Sequence, residues 1–337
     1  MIKPFMTDRI CIIGGSGFIG TRLVKRLLDA GYFVKILDKS KSETYPDLWI
    51  KGDVRDMSSL LSALKGFDVL YNLAAEHRDD VSPKSLYYDV NVKGAKNVCS
   101  AAEELGINKI IFTSSVAVYG FTYEETDENG ELRPFNEYGK TKLEAERIYQ
   151  EWQERDKNRS LTIIRPTVVF GEGNRGNVYN LLKQIAKGHF IMVGNGKNIK
   201  SMTYVENVVS FLIYSLRFGS GFHLFNFVDK PDLDMNSLVT LVKQELGKSG
   251  DIGMRIPYPV GYLSGLFFDI ISKITNKKLP ISSIRIKKFC SNTQFTSASI
   301  KNTDFKPPFT LAEGLRRTIN HEFLSNDSDK GTLFYTE

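Results

Sequence analysis

Tyr138 and Lys142 lie four residues apart in the segment YGKTK, and Ser114 and Ser115 close an apolar run shortly before them. On a helix an i, i+4 spacing puts a phenol and an ammonium on one face, one turn apart. A phenol has an ordinary pKa of about 10 and is a poor base at neutral pH. A neighbouring ammonium favours the phenolate, so the pair is expected to bring Tyr138 toward working pH. A hydroxyl from the end of an adjacent strand, Ser115, would hold a substrate oxygen while Tyr138 takes its proton. Such a set oxidises an alcohol, provided the rest of the chain holds a hydride acceptor.

The elements for holding one are legible near the start. Arg9–Ile13 is a β-branched strand that runs into Gly14-Gly15-Ser16-Gly17-Phe18-Ile19-Gly20, and an apolar stripe at Ile19, Leu23, Val24, Leu27 and Leu28 marks a helix ending at Gly31. Glycines at 14, 17 and 20 serve three ends: a tight turn, close approach of backbone to a pyrophosphate, and close packing of helix on sheet. The helix N-terminus offers its free N–H groups to the phosphates. A second strand, Phe33–Leu37, ends in Asp38, where a carboxylate can take the adenosine ribose hydroxyls. A carboxylate there repels a 2′-phosphate and favours NAD over NADP, although Lys39 and Lys41 follow it. Asp53, after the strand Leu48–Val54, either accepts from the adenine amine or caps its own loop. Asp68–Ala74 and Ile107–Ser114 read as the next sheet strands, and Leu73, Ala74 and Ala75 fall at the sheet edge where ligands bind. Asn91, inside the helix Pro83–Leu105, either braces the catalytic loop or faces solvent.

Beyond a sixth strand, Leu161–Arg165, the pattern loosens, as expected where a second lobe interleaves with the first. The polar loop Gly171–Asn177 opens a helix over Val178–Lys187, and Arg175, Asn177 and that helix N-terminus are expected to cradle a diphosphate. Lys200 is a further candidate for it. His77 and Arg78, with the acidic pair Asp79-Asp80, either line a sugar pocket or form surface salt bridges. The helix Val205–Leu216 and strand Phe222–Val228 are expected to return to the first lobe, and nothing after Asn320 carries a clear structural pattern. In Pro257–Ile274, Leu263, Leu266, Phe267, Ile270, Ile271 and Ile274 share one helical face, with Lys277, Lys278, Arg285, Lys287 and Lys288 soon after. That face either packs in the core or lies on an anionic bilayer.

Composition bounds the class. The chain has 337 residues, 42% hydrophobic and 25% charged, with 45 basic against 39 acidic side chains for a net charge of +6. This is an ordinary globular balance, large enough for two lobes. Nucleic-acid signatures are absent. Cys11, Cys99 and Cys290 form no CxxC pair and the four histidines are scattered, so no metal site is expected and the thiols read as reduced. No apolar run approaches the ~18 residues of a membrane span or a secretory leader. A cytoplasmic protein is the expectation.

With the glycine loop, Asp38, Ser115 and Tyr138-x-x-x-Lys142 in place, the chain resembles the extended short-chain dehydrogenases and reductases, the NAD-dependent epimerase/dehydratase group. The resemblance implies an α/β fold, a Rossmann-type doubly wound parallel sheet with a smaller interleaved α/β substrate-binding lobe. In those terms residues 1–165 and about 201–228 hold NAD, about 166–200 and 229–325 bind substrate, and 326–337 form a flexible tail. It implies Ser115, Tyr138 and Lys142 as the catalytic triad. NAD would be held by Gly14, Gly17, Phe18, Ile19, Gly20, Asp38, Asp53, Val54, Leu73, Ala74, Ala75, Asn91, Ser114, Tyr138, Lys142, Arg165 and Val168. Substrate would meet His77, Arg78, Ser115, Arg175, Asn177 and Lys200. Dehydratases of this group carry an Asp-Glu pair just after the active-site hydroxyl; Val116 and Ala117 stand there instead, which leaves oxidation and reduction at C4.

The segments LAAEHRDDVSPKSLYYDVNV, RPTVVFGEGNRGNVYNLLKQI and SIRIKKFCSNTQFT further resemble bacterial 4-epimerases whose sugar is carried on undecaprenyl diphosphate. That implies a lipid-linked sugar substrate for O-antigen synthesis, peripheral contact with the inner-membrane surface, and the homodimer common in the group. A UDP-sugar 4-epimerase and a net keto-sugar reductase remain alternatives.

Overall fold

The computed structural model describes residues 8–78, 81–122, 124–275, 279, 282–325 and 331–336. Its centre is a seven-stranded, all-parallel sheet. The strands are β1 (Arg9–Ile13), β2 (Phe33–Asp38), β3 (Trp49–Lys51), β4 (Val69–Asn72), β5 (Lys109–Thr113), β6 (Ser160–Pro166) and β7 (Gly221–Phe227). They run in the order β7-β6-β5-β4-β1-β2-β3, so the direction of winding reverses between β1 and β4. Loops leaving the C-terminal ends of strands diverge at such a point and open a crevice for a ligand.

Parallel strands need long crossovers, and the helices that supply them cover both faces. α1 (Phe18–Asp29), α2 (Met57–Ala63), α3 (Gly94–Glu104) and α4 (Glu137–Glu154) follow β1, β3, β4 and β5. α3 is entered through Ser85–Tyr87 and a π-helical stretch, Tyr88–Lys93, so the distortion precedes Gly94. Gly94 itself serves packing: a Cβ there would stand 2.8 Å from a Val54 methyl. One apolar layer gathers Ile10, Ile12, Leu23 and Val24 with Phe211 and Phe225; the other gathers Cys11, Ile13, Leu60, Val98, Tyr149 and Trp152.

The smaller lobe is built from α5 (Asn177–Ala186), α7 (Met235–Glu245), α8 (Tyr258–Thr275), α9 (Ser283–Cys290) and short strand pairs; between these, α6 (Val205–Tyr214) packs on α1 and β7 pairs with β6. α10 (Leu311–Ile319) carries a complete capping box, Thr310 with Glu313, and buries Leu311, Leu315 and Ile319.

Two expectations change here. α8 is attached by its glycine face: Gly261 and Gly265 are its buried residues, and a Cβ at Gly265 would stand 2.7 Å from the Ser283 nitrogen of α9. Its large side chains point outward, with Leu263 64%, Phe267 61%, Ile270 56% and Ile274 78% exposed. The core-facing reading of that helix is therefore wrong; Lys277 and Lys278 lie outside the described residues. The chain after Asn320 is also patterned: Asn320–Leu324 is a π-helical turn, and Gly331–Thr336 lies along the loop at Gly173–Arg175. Of the tail expected at 326–337, residues 326–330 and 337 lie outside the described residues, and within 331–336 Phe334 meets the Phe18 ring.

Candidate active site

A cavity of about 650 Å³ opens at the C-terminal ends of the strands, between the two lobes. The glycine loop forms its floor. Gly14 has φ +79° and a Cβ there would stand 2.6 Å from the Ala74 nitrogen; a Cβ at Gly20 would stand 2.6 Å from the Gly15 Cα. Those two positions are required by the protein's own packing. Gly17 differs, since its Cβ would meet only the Gly14 oxygen, at 3.4 Å, so its bareness serves the cavity it lines. Gly17 caps α1 without a side-chain bond, leaving that helix's first N–H groups facing the cavity.

Phe18, Ile19, Val54, Leu73, Ala74, Ala75 and Val168 line the same space. Asp38 does too, its carboxylate accepting from the Ser16 and Ser40 nitrogens at 3.1 and 3.0 Å. Asp53 lines it as well, but its carboxylate is gripped by the Arg55 guanidinium at 2.6–3.1 Å, which holds it below its ordinary pKa. Of the two alternatives for Asp53, the geometry shows the loop cap, a clasp on the cavity wall.

Across the floor, Ser115, Tyr138 and Lys142 converge on one wall. Asn136 caps α4 by accepting from the Gly139 nitrogen at 2.9 Å, which sets Tyr138 in the first turn. A Cβ at Gly139 would stand 2.5 Å from the Ala117 oxygen, so glycine lets α4 close on the Val116–Val118 turn and brings Tyr138 to Ser115. Lys142 is 2% exposed and donates to the Thr113 carbonyl at 2.7 Å, with its ammonium 4.6 Å from the centre of the Phe112 ring. Burial pushes the Tyr138 phenol up to about 12, opposed by the Ser115 hydroxyl. Burial likewise pushes Lys142 down to about 7, opposed by Glu146. The expected depression of the phenol by Lys142 does not accompany this arrangement: burial dominates at Tyr138, and the Lys142 amine is turned to the Thr113 carbonyl.

Several other placements correct the sequence reading. Asn91 is a buried brace outside the cavity lining, bonded to the Glu76 backbone at 2.8 and 2.9 Å and to Thr141 at 3.0 Å. Arg165, expected at the cofactor, is locked in the interior by Glu146 at 2.8 and 2.6 Å and by the Tyr119 hydroxyl at 2.6 Å. Arg175 lies outside the lining, paired with Glu322 at 2.9 Å and stacked on Tyr179 at 4.1 Å. Lys200 lies outside it too: its ammonium donates to the Lys288 carbonyl at 2.6 Å, and burial pushes it down to about 8. Asn177 and His77 do line the cavity, whereas Arg78 does not; Asp79 and Asp80 lie outside the described residues. His77 sits at the open rim, where close packing of its inner face and then the Ala75 backbone and Lys142 act on it, the net push being downward. Residues that sequence reasoning missed are Phe135, Ser201, Lys288, Thr293 and Thr336. Of these only the basic run at 285–288 carried a signal.

A family model described as the NAD dependent epimerase/dehydratase family matches residues 10–226. The chain belongs to this family. An N-acetyl-alpha-D-glucosaminyl-diphospho-ditrans,octacis-undecaprenol 4-epimerase of Escherichia coli O157:H7 is 54% identical, across 97% of this chain and 99% of that protein. A decarboxylating sterol-4-alpha-carboxylate 3-dehydrogenase of Mus musculus is 29% identical across 91% of this chain and 89% of its own. Among solved structures, a UDP-N-acetylglucosamine 4-epimerase from Bacillus cereus matches with a TM-score of 0.74, covering 96% of this chain and 99% of that one at 18% identity, a likeness of fold.

NAD, the cofactor that the family's name carries, fits the residues present. Ser114 is 3% exposed, lines the cavity, and its hydroxyl has no hydrogen-bond partner among the described residues. Buried hydroxyls seldom stay unpaired, so this one is built for an occupant. Together with the open α1 N-terminus, the bare Gly17 and Asp38, it suits a pyrophosphate flanked by two riboses. Among the described residues the carboxylates lining the cavity are Asp38 and Asp53, both at the β2–β3 end, so none of them lies beside the apolar wall at Val116 and Ala117 to drive an elimination.

Proposed function

We propose that this chain inverts C4 of the N-acetylglucosaminyl group carried on undecaprenyl diphosphate, giving the N-acetylgalactosaminyl form through a transient 4-keto sugar. The observation that carries this reading is the near end-to-end, 54% identity to the E. coli O157:H7 enzyme of that name. Among the described residues, a wall without an acid beside Ser115 and Tyr138 supports epimerisation over dehydration.

Bound NAD supplies the acceptor for the C4 hydride and, when oxidised, a positive charge that favours the phenolate. Tyr138 takes the proton of the 4-hydroxyl and returns it after the ring has turned. Ser115 holds the same oxygen, and its acceptance of the Ala117 N–H at 3.1 Å leaves its own proton for that contact. Lys142, anchored on Thr113, holds a ribose and keeps a donor beside the phenol. Proton and hydride both return to the sugar, so no net redox occurs. The diphosphate must be held while the sugar rotates. Asn177 at the α5 N-terminus and Lys288 on α9 stand on the lining for this task, in place of Arg175 and Lys200.

The same reading docks α8 on the cytoplasmic surface of the inner membrane. Its outward apolar face carries the exposed Lys273 in its last turn, and α9, packed on its glycine side, adds the exposed Arg285 and Lys287 and reaches the cavity through Lys288. Apolar residues flanked by cations suit an anionic bilayer surface. No helix among the described residues is long and apolar enough to cross a membrane.

Two assays test this. Turnover is measured with N-acetylglucosaminyl-diphospho-undecaprenol and with UDP-N-acetylglucosamine, for wild type and Tyr138→Phe. The lipid-linked sugar should turn over, and the variant should lose at least about a hundredfold in rate while keeping NAD, the scale of a lost acid–base group. Turnover of the nucleotide sugar alone would replace the substrate reading, and an unimpaired variant would refute the mechanism. For the membrane face, Phe267→Asp with Ile270→Asp should abolish co-sedimentation with anionic liposomes. Unchanged sedimentation, or a wild-type homodimer that the two substitutions dissolve, would refute docking.

A further inference from the structure

The segment Gly331–Thr336 crosses the cleft, and nothing in the active-site chemistry uses it. Its exposure alternates as a strand does: Leu333 and Tyr335 face solvent, while Thr332, Phe334 and Thr336 are partly covered. The covered residues meet the walls of the cofactor cavity. Phe334 packs its ring 5.8 Å from that of Phe18, the first residue of α1 and part of the cavity lining. Thr336 lines the cavity directly, its hydroxyl donating to Asn174 Oδ1 at 2.6 Å. A Cβ at Gly176 would stand 2.5 Å from the Thr336 hydroxyl, so that glycine makes room for the segment. On the opposite wall the His77 imidazole meets the Thr336 backbone.

The attachment is specific but slight. The Phe334 nitrogen donates to the Gly173 oxygen at 2.9 Å, and the Arg175 nitrogen donates to the Phe334 oxygen at 2.8 Å. The loop beneath is rigid by comparison, because Glu322 accepts from the Gly173 nitrogen at 2.8 Å and pairs with Arg175 at 2.9 Å. A second depression of about 340 Å³, lined by Arg22, Thr44, Glu172, Thr332 and Phe334, lies on the other side of the segment. The segment is thus a bar between two openings, pinned to a firm loop at one edge.

We propose that Gly331–Thr336 is a cofactor-retaining strap: Phe334 on Phe18 and Thr336 between His77 and Asn174 close the cleft over the dinucleotide, which leaves only when the strap lifts. This rests on the reading that the cavity holds NAD. A reaction that returns its hydride each cycle works best when its dinucleotide stays bound, and a strap slows release without adding any contact to the reacting carbon. Phe334 and Thr336 are therefore retention residues, with no part in the chemical step.

Release of the cofactor tests this without relying on turnover. Full-length wild type, Phe334→Ala/Thr336→Val, Thr336→Ser and Tyr335→Ala are loaded with radiolabelled NAD, diluted into excess unlabelled NAD and filtered at timed intervals. The double variant should release label at least tenfold faster than wild type, with an unchanged thermal midpoint for the cofactor-free proteins. Thr336→Ser, which keeps the hydroxyl, and Tyr335→Ala, which faces solvent, should release it at the wild-type rate. Equal release from wild type and the double variant overturns the strap while leaving the cofactor reading intact. Equal acceleration by Tyr335→Ala overturns it as well, since the effect would be general loosening. A wild type that binds no label overturns both readings.

Discussion

Replacing Lys142 with Met should make the protein inactive and yet more stable at low pH. The fall of its pKa from 10.5 to about 7 on folding corresponds to up to about 5 kcal/mol, at about 1.4 kcal/mol per unit. Because the folded value lies below the unfolded one, the unfolded chain binds the extra proton between pH 7 and about 10.5. Wild-type stability from this group therefore rises with pH across that window. At pH 6 the folded protein bears nearly the whole cost of a buried ammonium, and at pH 10 less than about 1 kcal/mol of it. Met keeps most of the hydrocarbon stem but gives up the bond to the Thr113 carbonyl, a loss of about 1–3 kcal/mol. A neutral amine also donates, so that loss is independent of pH and cancels when two pH values are compared. Urea unfolding of the cofactor-free proteins at pH 6, 8 and 10 reads the difference. Wild type should gain several kcal/mol relative to Lys142→Met between pH 6 and 10. Parallel curves, within about 1 kcal/mol, would refute the view that this lysine is held against its own desolvation for the sake of the site.

Two further outcomes follow from the interior. Asp229 is 3% exposed and burial pushes its carboxyl up to about 7 from 3.8, so its contribution is intact below pH 3.8 and lost as pH rises through 7. Asp229→Asn keeps an acceptor for the Tyr204 nitrogen, now at 2.7 Å, and should stabilise by up to about 4 kcal/mol at pH 8 but not at pH 3; denaturant midpoints at the two pH values check it. Glu146→Ala leaves the buried Arg165 guanidinium without its carboxylate and should cost about 3–5 kcal/mol in urea unfolding, whereas a cofactor role for Arg165 would show instead as lost NAD affinity at unchanged stability.

Local spacing carried most of the reading. The i, i+4 pair of Tyr138 and Lys142, the glycines at 14, 17 and 20, and Asp38 at a strand end lie where the sequence reading put them, because backbone geometry over a few residues dictates it. Charged side chains behaved otherwise. Arg165 looks available for the cofactor and Arg175 and Lys200 for a diphosphate along the chain, and each is taken up by a partner that only folding delivers: Glu146, Glu322 and the Lys288 carbonyl. A charge removed from water must be compensated wherever it lands, and the compensating group can lie anywhere in the sequence.

Helix α8 and the strap make the same point for apolar residues. Periodicity identifies a face in Leu263, Phe267, Ile270 and Ile274, yet it cannot say whether another element will cover that face; the glycines on the other side were chosen for contact instead. The alternation of Thr332, Phe334 and Thr336 is too short to read as a strand until Phe18 and Asn174 are placed beneath it. The sequence by itself thus determined which chemistry this protein can perform and on which helix and strand ends. Only the tertiary structure decided which cations are taken up by partners of their own, which apolar face stays open, and what crosses the cleft, because those are settled by contacts between segments far apart along the chain.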